Sequence, residues 1–249
     1  VWCSGWRLAA AVSNAGGLGL LGAGSMHPET LREHIRKCRE ATHHAFGVNI
    51  PLMYPQIEEI MQIVADEGVK IVFTSAGSPK KWTGWLHERG ITVVHVVSSS
   101  RFAVKAEEAG VDAIVAEGFE AGGHNGREET TTLCLIPAVH AVTTLPLIAA
   151  GGIATGEAML AARVLGAEGV QIGTRFALTA ESSANEVFKD YCLHLEEGDT
   201  RLLLKKLAPV RLVRNNFRSA VEAAEAVGAS EEELRILLGR GRAKRGIFE

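Results

Sequence analysis

The sequence has little cysteine and no long apolar run. Its four cysteines, at positions 3, 38, 134 and 192, form no CxxC pair and have no metal-like spacing with histidine. We therefore expect no metal site, and we expect free thiols in a reducing compartment, the cytoplasm. The apolar runs are far shorter than the ~20 residues that span a bilayer. No membrane segment is predicted.

A strong charge of one sign is also absent. The formal net charge is −3 for 249 residues, which argues against a general nucleic-acid or membrane surface. Apolar residues make up 47% of the chain, so a sizeable core can form. The length suits one large domain, or one domain with a small appendage.

Short apolar runs alternate with helical patterns through the first two thirds of the chain. The predicted strands cover residues 18–21, 46–50, 69–74, 91–97, 111–116, 147–150 and 169–172. Their spacing of about 20–25 residues is typical of βα units in a parallel sheet. The chain opens on a helical pattern, and a closed barrel has eight strands. We therefore predict a TIM-type (β/α)₈ barrel whose first strand lies before Val1. An open, doubly wound sheet is the alternative.

The alternation stops after Arg175. Four later segments with charged faces, residues 186–197, 200–206, 219–226 and 231–238, are predicted to be helices. Ser230 and Glu233 predict a capping box at the last of them. We divide the chain into a barrel of residues 1–180 and a helical appendage of residues 181–249 that is truncated at its C-terminal end.

One glycine-rich stretch follows the predicted strand at 111–116. Its four glycines surround His124. Glycine lets a backbone pass close to a ligand, and loops after strand ends carry the chemistry of parallel α/β folds. An imidazole titrates near neutral pH, so His124 is the candidate catalytic residue. The alternative is a mobile surface turn with a solvated histidine.

Two other glycine motifs follow the last two predicted strands, Gly151-Gly152 and Gly173-Thr174. In barrels of this kind the corresponding loops bind phosphate through backbone N–H groups. The alternative is two tight turns that need glycine for geometry alone. A GxGxxG match at residues 17–22 is not a dinucleotide site, because a helix precedes it and a strand follows it.

Polar residues end several other predicted strands. Asn49, Ser75 and His95 would lie at the same rim, where amide and hydroxyl groups could bind the edge of a polar heterocycle. Each residue alone is also a common turn former or a satisfied core polar group.

Taken together, these motifs resemble an FMN-dependent family, the nitronate monooxygenases and the enoyl-acyl-carrier-protein (enoyl-ACP) reductases of the second type. The resemblance covers essentially the whole chain. It depends on residues 11–19, 46–49, 120–124, 150–154 and 171–176, in that order.

The resemblance implies FMN across the barrel mouth and His124 beside the flavin ring as the active-site histidine. Asn49 would hold the ring edge, and Glu117 and Gly122 would line the flavin. The loops after the last two strands would hold its phosphate, with Gln171 beside them. The implied cofactor-binding residues are Asn49, Ser75, Glu117, Gly122, Gly123, Gly151, Gly152, Gln171, Gly173 and Thr174.

Position 117 separates the branches of this family. Nitronate monooxygenases usually have Gln-Gly there and the reductases Glu-Gly; this chain has Glu117-Gly118. Residues 1–6 and 239–244 also look more like the reductases. The family has a strand before the position of Val1 and a segment after Glu249, so we expect this chain to be a fragment.

The leading hypothesis is an FMN- and NAD(P)H-dependent enoyl-ACP reductase that acts on a small or carrier-protein-bound thioester. A nitronate monooxygenase is the second hypothesis, and a non-catalytic flavin-binding barrel the third. A homodimer is compatible with the resemblance, and the sequence does not decide the oligomeric state.

Overall fold

A computed structural model describes residues 3–24 and 26–239. Residues 1–6 and 239–244 look more like the reductases in sequence. Of these, residues 1–2 and 240–244 lie outside the described ranges. The first part of the chain contains α1 (Trp6–Asn14), β1 (Gly19–Gly22), α2 (Pro28–Ala41), β2 (Phe46–Pro51), α3 (Ile57–Asp66), β3 (Ile71–Ser75), α4 (Lys80–His87), β4 (Thr92–Val97), α5 (Ser100–Glu108), β5 (Ala113–Glu117), β6 (Gly123–His124), α6 (Thr132–His140), β7 (Leu147–Ala150), α7 (Gly156–Val164), β8 (Gly169–Gln171) and α8 (Thr174–Ala177). The second part contains α9 (Glu186–Leu193), β9 (Thr200–Leu203), β10 (Val210–Val213), α10 (Asn216–Ala226) and α11 (Glu231–Leu238).

Seven of these strands form one sheet in the order β1-β2-β3-β4-β5-β7-β8. Every neighbouring pair in it is parallel, which requires the helical crossovers that the chain supplies. Each predicted strand is present, with its ends within two residues of the prediction. The fold class, a TIM-type barrel, is confirmed.

The sheet has two edges, β1 and β8. Within the described ranges β1 pairs only with β2, β8 pairs only with β7, and the two edges do not pair with each other. This is the arrangement expected of a barrel sheet that shows seven of its eight strands.

Side chains on the two faces of the sheet form two separate cores. Phe73, Val94, Val115 and Ala150 form a small buried cluster on the inner face. The neighbouring positions along the same strands, such as Ile114, belong to the larger cluster between the sheet and the helices. Side chains alternate between the two faces along a strand. The face of each remaining strand residue therefore follows from these two clusters.

The appendage is not wholly helical. The helices predicted at 186–197, 219–226 and 231–238 are present as α9, α10 and α11, and the capping box of Ser230 and Glu233 is confirmed. The boundary at residue 180 stays a prediction.

The helix predicted at 200–206 is wrong, because β9 occupies residues 200–203 and pairs with β10 in an antiparallel hairpin. A short leucine run has no period that separates helix from strand. Leu204 then takes a positive φ of 58°, which ends the strand. Its side chain is buried against Val221 and Leu234 in a small core of the appendage's own. Tertiary pairing therefore decided the structure here.

Across residues 3–24 and 26–239, no helix combines the length and apolarity needed to cross a bilayer.

His95 faces the helix layer, so the expectation that it lies at the barrel rim is wrong. On β4 it alternates with Val94 and Val96, which belong to the inner face. Its Nδ1 lies 2.7 Å from Thr74 Oγ1, and both side chains are buried. Burial lowers the pKa of His95 to about 4. The imidazole is therefore neutral at pH 7 and serves the packing of the fold.

We predict that His95 makes the protein sensitive to mild acid. Its pKa is 6.5 when it is hydrated and about 4 when folded, so the unfolded chain binds its proton first as the pH falls. The free energy of unfolding should decrease by as much as about 3 kcal/mol between pH 6.5 and pH 4 from this group. Urea unfolding at several pH values should show a smaller decrease in His95→Gln. The exposed His43→Gln variant is the control, and an equal acid sensitivity in all three proteins would contradict the prediction.

Candidate active site

The inner face of the sheet ends in polar residues at the carboxyl ends of its strands. Ser75 follows Phe73 by two positions on β3, and Glu117 follows Val115 by two positions on β5. Phe73 and Val115 belong to the inner cluster. Because residues two apart on a strand share a face, Ser75 and Glu117 lie above this cluster on the inner side.

Asn49 and Gln171 are on the same side through strand pairing. Asn49 is opposite Phe73, and Gln171 is opposite Ala150 in the parallel register. Residues that are opposite each other on neighbouring strands share a face. The sheet therefore brings four predicted cofactor-binding residues to one side of one rim, namely Asn49, Ser75, Glu117 and Gln171.

Glu117 and Gln171 flank Ala150 in one row across β5, β7 and β8. The Oε1 atom of Gln171 is buried and has no hydrogen-bond partner. Burial raises the pKa of Glu117 to about 7. A buried acceptor without a partner is rare unless a ligand or water completes it. This row can therefore accept the polar edge of a bound ring.

The turn after β7 needs glycine at two successive positions. Gly151 has a φ of 103° and Gly152 a φ of 67°, a region that other residues rarely adopt. A β-carbon on Gly151 would also lie 2.6 Å from the carbonyl oxygen of Gly118. The loops after β5 and β7 are thus in close contact.

The turn after β8 lies beside the same loops. Gly173 is the N-cap of α8, with no side-chain hydrogen bond to the first turn of that helix. A β-carbon on Gly122 would lie 3.2 Å from Thr174 Oγ1, so the loop after β5 reaches the start of α8. Backbone donors around a glycine-lined space of this kind suit a phosphate group.

The loop that carries His124 is held by the appendage. His124 is opposite Val210 in the β6–β10 pair, and the Asn125 backbone N–H donates to Pro209 O at 2.8 Å. The Asn125 side chain donates to Ala121 O at 2.9 Å and to Gly123 O at 3.1 Å. Hydrogen bonds from two directions argue against a mobile surface turn.

The His124 side chain is exposed. Surrounding protein atoms still displace part of its hydration shell, and this desolvation lowers the pKa of His124 below its usual value. An exposed imidazole can accept and release a proton, so it is suited to acid–base chemistry.

Glu120 joins this loop to the helix layer. Its carboxylate oxygens accept from the Thr132 backbone N–H at 3.1 and 3.0 Å. The Thr132 hydroxyl lies 2.9 Å from Glu120 Oε2 and 2.9 Å from Gly151 O. One acid and one hydroxyl thus fix the loops after β5 and β7 relative to each other.

The sequence did not identify Glu120, Asn125, Thr132 or Arg211 as site residues. Glu120 and Asn125 stand inside the glycine-rich stretch, so their position was a usable signal. Arg211 is far away in the chain, yet its Nε and Nη2 donate to Phe119 O at 3.1 and 2.7 Å. Only the fold brings it to this loop.

Other surface features do not compete with this rim. Among residues 3–24 and 26–239, no group of three or more His, Cys, Asp or Glu side chains could hold a metal ion. A groove of about 390 Å³ between α6 and α7 is lined by Leu133, Leu160 and Val164. Its lining is almost wholly apolar, and it lies in the outer helix layer.

The fold and the rim define a (β/α)-barrel with glycine-lined turns at its strand ends and a histidine loop beside them. The family model described as nitronate monooxygenase matches residues 1–244. The chain therefore belongs to the nitronate monooxygenase family, whose members are flavin-dependent oxidoreductases.

Individual relatives fall in both branches. A probable nitronate monooxygenase of Staphylococcus aureus is 33% identical over 238 residues, which cover 78% of this chain and 67% of that protein. The structure of FabK from Thermotoga maritima has a TM-score of 0.92 and 40% identity, and covers 100% of this chain and 81% of that chain. A nitroalkane oxidase from Streptomyces ansochromogenes has a TM-score of 0.85 and 27% identity, over 98% and 83% of the two chains.

We predict that Glu117 destabilises the ligand-free protein as the pH rises. Its pKa is 4.5 when hydrated and about 7 when folded, so folding favours the protonated acid. The contribution of Glu117 to the free energy of unfolding is fully present below pH 4.5 and is lost as the pH rises through 7. The loss is roughly 3 kcal/mol at most. Glu117→Gln should therefore gain stability relative to the parent at pH 8 but not at pH 4.5. Urea unfolding measures this, with the exposed Glu108→Gln as control, and an unchanged pH dependence in Glu117→Gln would contradict it.

Proposed function

We propose that this protein is an FMN-dependent reductase that uses NAD(P)H to reduce the double bond of an enoyl thioester, free or carried by an acyl carrier protein. The likeness to FabK supports this most strongly, because it extends over the whole chain at 40% identity. The Glu117-Gly118 pair at the branch-separating position agrees with it.

The residues at the rim fit FMN. The glycine-lined turns after β7 and β8 would hold the phosphate, through the backbones of Gly151, Gly152 and Gly173 and the Thr174 hydroxyl. The buried Oε1 of Gln171, which has no partner, and the Glu117 carboxyl would meet polar atoms of the ring system. Asn49 and Ser75 would contact the other end of the ring, and Gly122 and Gly123 leave room above it.

When bound, FMN supplies the hydride-transfer chemistry, which no side chain can provide. The net reaction adds hydride at the β-carbon of the enoyl group and a proton at its α-carbon. The protein must supply that proton as negative charge develops on the α-carbon and the thioester oxygen. His124 is suited to the task, because its imidazole is exposed and its loop is held by pairing with β10.

Nitronate oxidation is the second candidate, and two observations favour it. The matching family model and the Staphylococcus aureus relative are both described as nitronate monooxygenase. The lowered pKa of His124 also keeps the imidazole neutral at pH 7, which is the form that a base requires.

Steady-state turnover separates the two reactions. A reductase should consume NAD(P)H in the presence of a crotonyl thioester, and a monooxygenase should consume dioxygen in the presence of a nitronate. The flavin content of the same preparation should be measured, because a rate counts only per flavin-loaded molecule. Turnover of nitronate alone would overturn the proposed reductase activity.

We predict that His124→Ala lowers kcat/KM by about 10²–10⁴-fold, the usual contribution of general acid–base catalysis, while flavin content stays normal. The phosphate cradle is built from backbone groups that His124 does not supply. Steady-state kinetics and the flavin absorbance test this, with the exposed His43→Ala as control. Near wild-type turnover would make His124 a spectator, as in a non-catalytic barrel. Loss of both flavin and fold would make it structural.

We also predict the direction of the pH dependence. If His124 is the proton donor, kcat/KM should fall as the pH rises through a pKa below 6.5. If His124 is a base, kcat/KM should instead fall as the pH drops through the same pKa. The pKa of Glu117 is about 7, so this acid titrates in a similar pH range. The profile should therefore also be recorded in Glu117→Gln. A change of kcat/KM with pH that persists in Glu117→Gln belongs to His124. A profile with no pH dependence would contradict both the donor role and the base role of His124.

A further inference from the structure

Two arginines connect the His124 loop and the β9–β10 hairpin in opposite directions. Arg211, on β10, donates through Nε and Nη2 to Phe119 O, at 3.1 and 2.7 Å, at the beginning of the loop. Arg127, at the end of the loop, donates to Lys205 O at 3.1 Å and to Leu207 O at 2.5 Å in the hairpin turn. The loop is therefore held on both sides of His124.

The Arg211 side chain makes a second contact at the same point. Its guanidinium carbon lies 5.2 Å from the centre of the Phe119 ring, within the range of a cation–π interaction. Gly123 is opposite Arg211 in the β6–β10 pair. One residue of β10 therefore contacts both the beginning of the loop and the residue before His124.

The hairpin is itself held in place by the small core of the appendage and by α10. Leu204 is 1% exposed and packs against Val221 and Leu234. The Leu204 N–H donates to Glu225 Oε1 at 2.9 Å, and Arg218 Nη1 donates to Asp199 O at 2.7 Å. Because α10 supports the hairpin, a contact with the hairpin can hold the loop still.

We infer that Arg127 and Arg211 are positioning residues that act as a reciprocal clamp on the loop carrying His124. They do not touch the reacting atoms; they set the distance of the imidazole from the substrate. The inference rests on the proposed function only in the role given to His124. It assigns the hairpin of the appendage a part in catalysis, the placement of His124.

Arg211→Met and Arg127→Met test the clamp, because methionine keeps part of the apolar stem and removes every donor. Each variant should lower kcat by up to about 10²-fold, the usual cost of a small misplacement of a catalytic group. KM and flavin content should stay near the parent values, since the cradle after β7 and β8 is untouched. The double variant should lose less than the product of the single losses, because both contacts hold one loop.

Arg211→Lys gives a conservative comparison. A lysine keeps the charge but cannot direct two planar N–H groups at one carbonyl oxygen, so part of the lost kcat should return. Arg201→Met is the matched control on the same hairpin. Arg201 pairs with Glu222 at 3.3 Å on the far side from the loop and should leave kcat unchanged.

Amide hydrogen exchange supplies a readout that does not depend on activity. In Arg211→Met and Arg127→Met, the Asn125 amide should exchange faster, because its bond to Pro209 O opens more often. Parent-like kcat and parent-like exchange would overturn the clamp. Loss of flavin and of folded structure in both methionine variants would also overturn it, since the role would then be general stability.

The two proposals fail in different ways. If His124→Ala keeps its turnover, the proposed role of His124 is wrong. If His124→Ala loses turnover while both methionine variants keep it, the clamp alone is wrong.

Discussion

Glu117, Ala150 and Gln171 stand in one row because β5, β7 and β8 pair in parallel and in one register. A shift of one residue in either pair would turn one of these side chains towards the helices. The same register brings the turns after β5, β7 and β8 to one rim, where Gly122 approaches Thr174 and Gly151 approaches Gly118. The positions of Glu117, Gln171 and the glycine turns proposed for the cofactor depend on this pairing.

His95 and Glu117, two titratable groups of the sheet with shifted pKa values, show how much one face differs from the other. His95 lies among side chains of the helix layer and bonds Thr74, so it is an internal part of the packing. Glu117 lies on the inner face at the open end, where burial alone raises its pKa. A buried acid without a cationic partner is costly for stability and is found most often at functional sites. Glu117 therefore supports the proposal that the cofactor lies at the inner rim.

The appendage belongs to the site through the short β6–β10 pair. Residues of the hairpin contact the His124 loop at its beginning, at its centre and at its end. Glu120 and Thr132 bind the same loop from the barrel side. A loop that is rich in glycine loses much conformational entropy when it is ordered, and these contacts offset that loss.

The sequence by itself determined the seven strands of the parallel sheet, the glycine motifs at the strand ends and the family. Strand and helix periods are local, and motifs such as Gly122-Gly123-His124 are read from adjacent residues. The tertiary structure alone decided that residues 200–203 form a strand, that His95 faces the helices, and that Arg211 reaches Phe119. Residues 119 and 211 are 92 positions apart. Pairing, burial and long-range contact depend on residues that no local pattern contains, so only the folded chain reveals them.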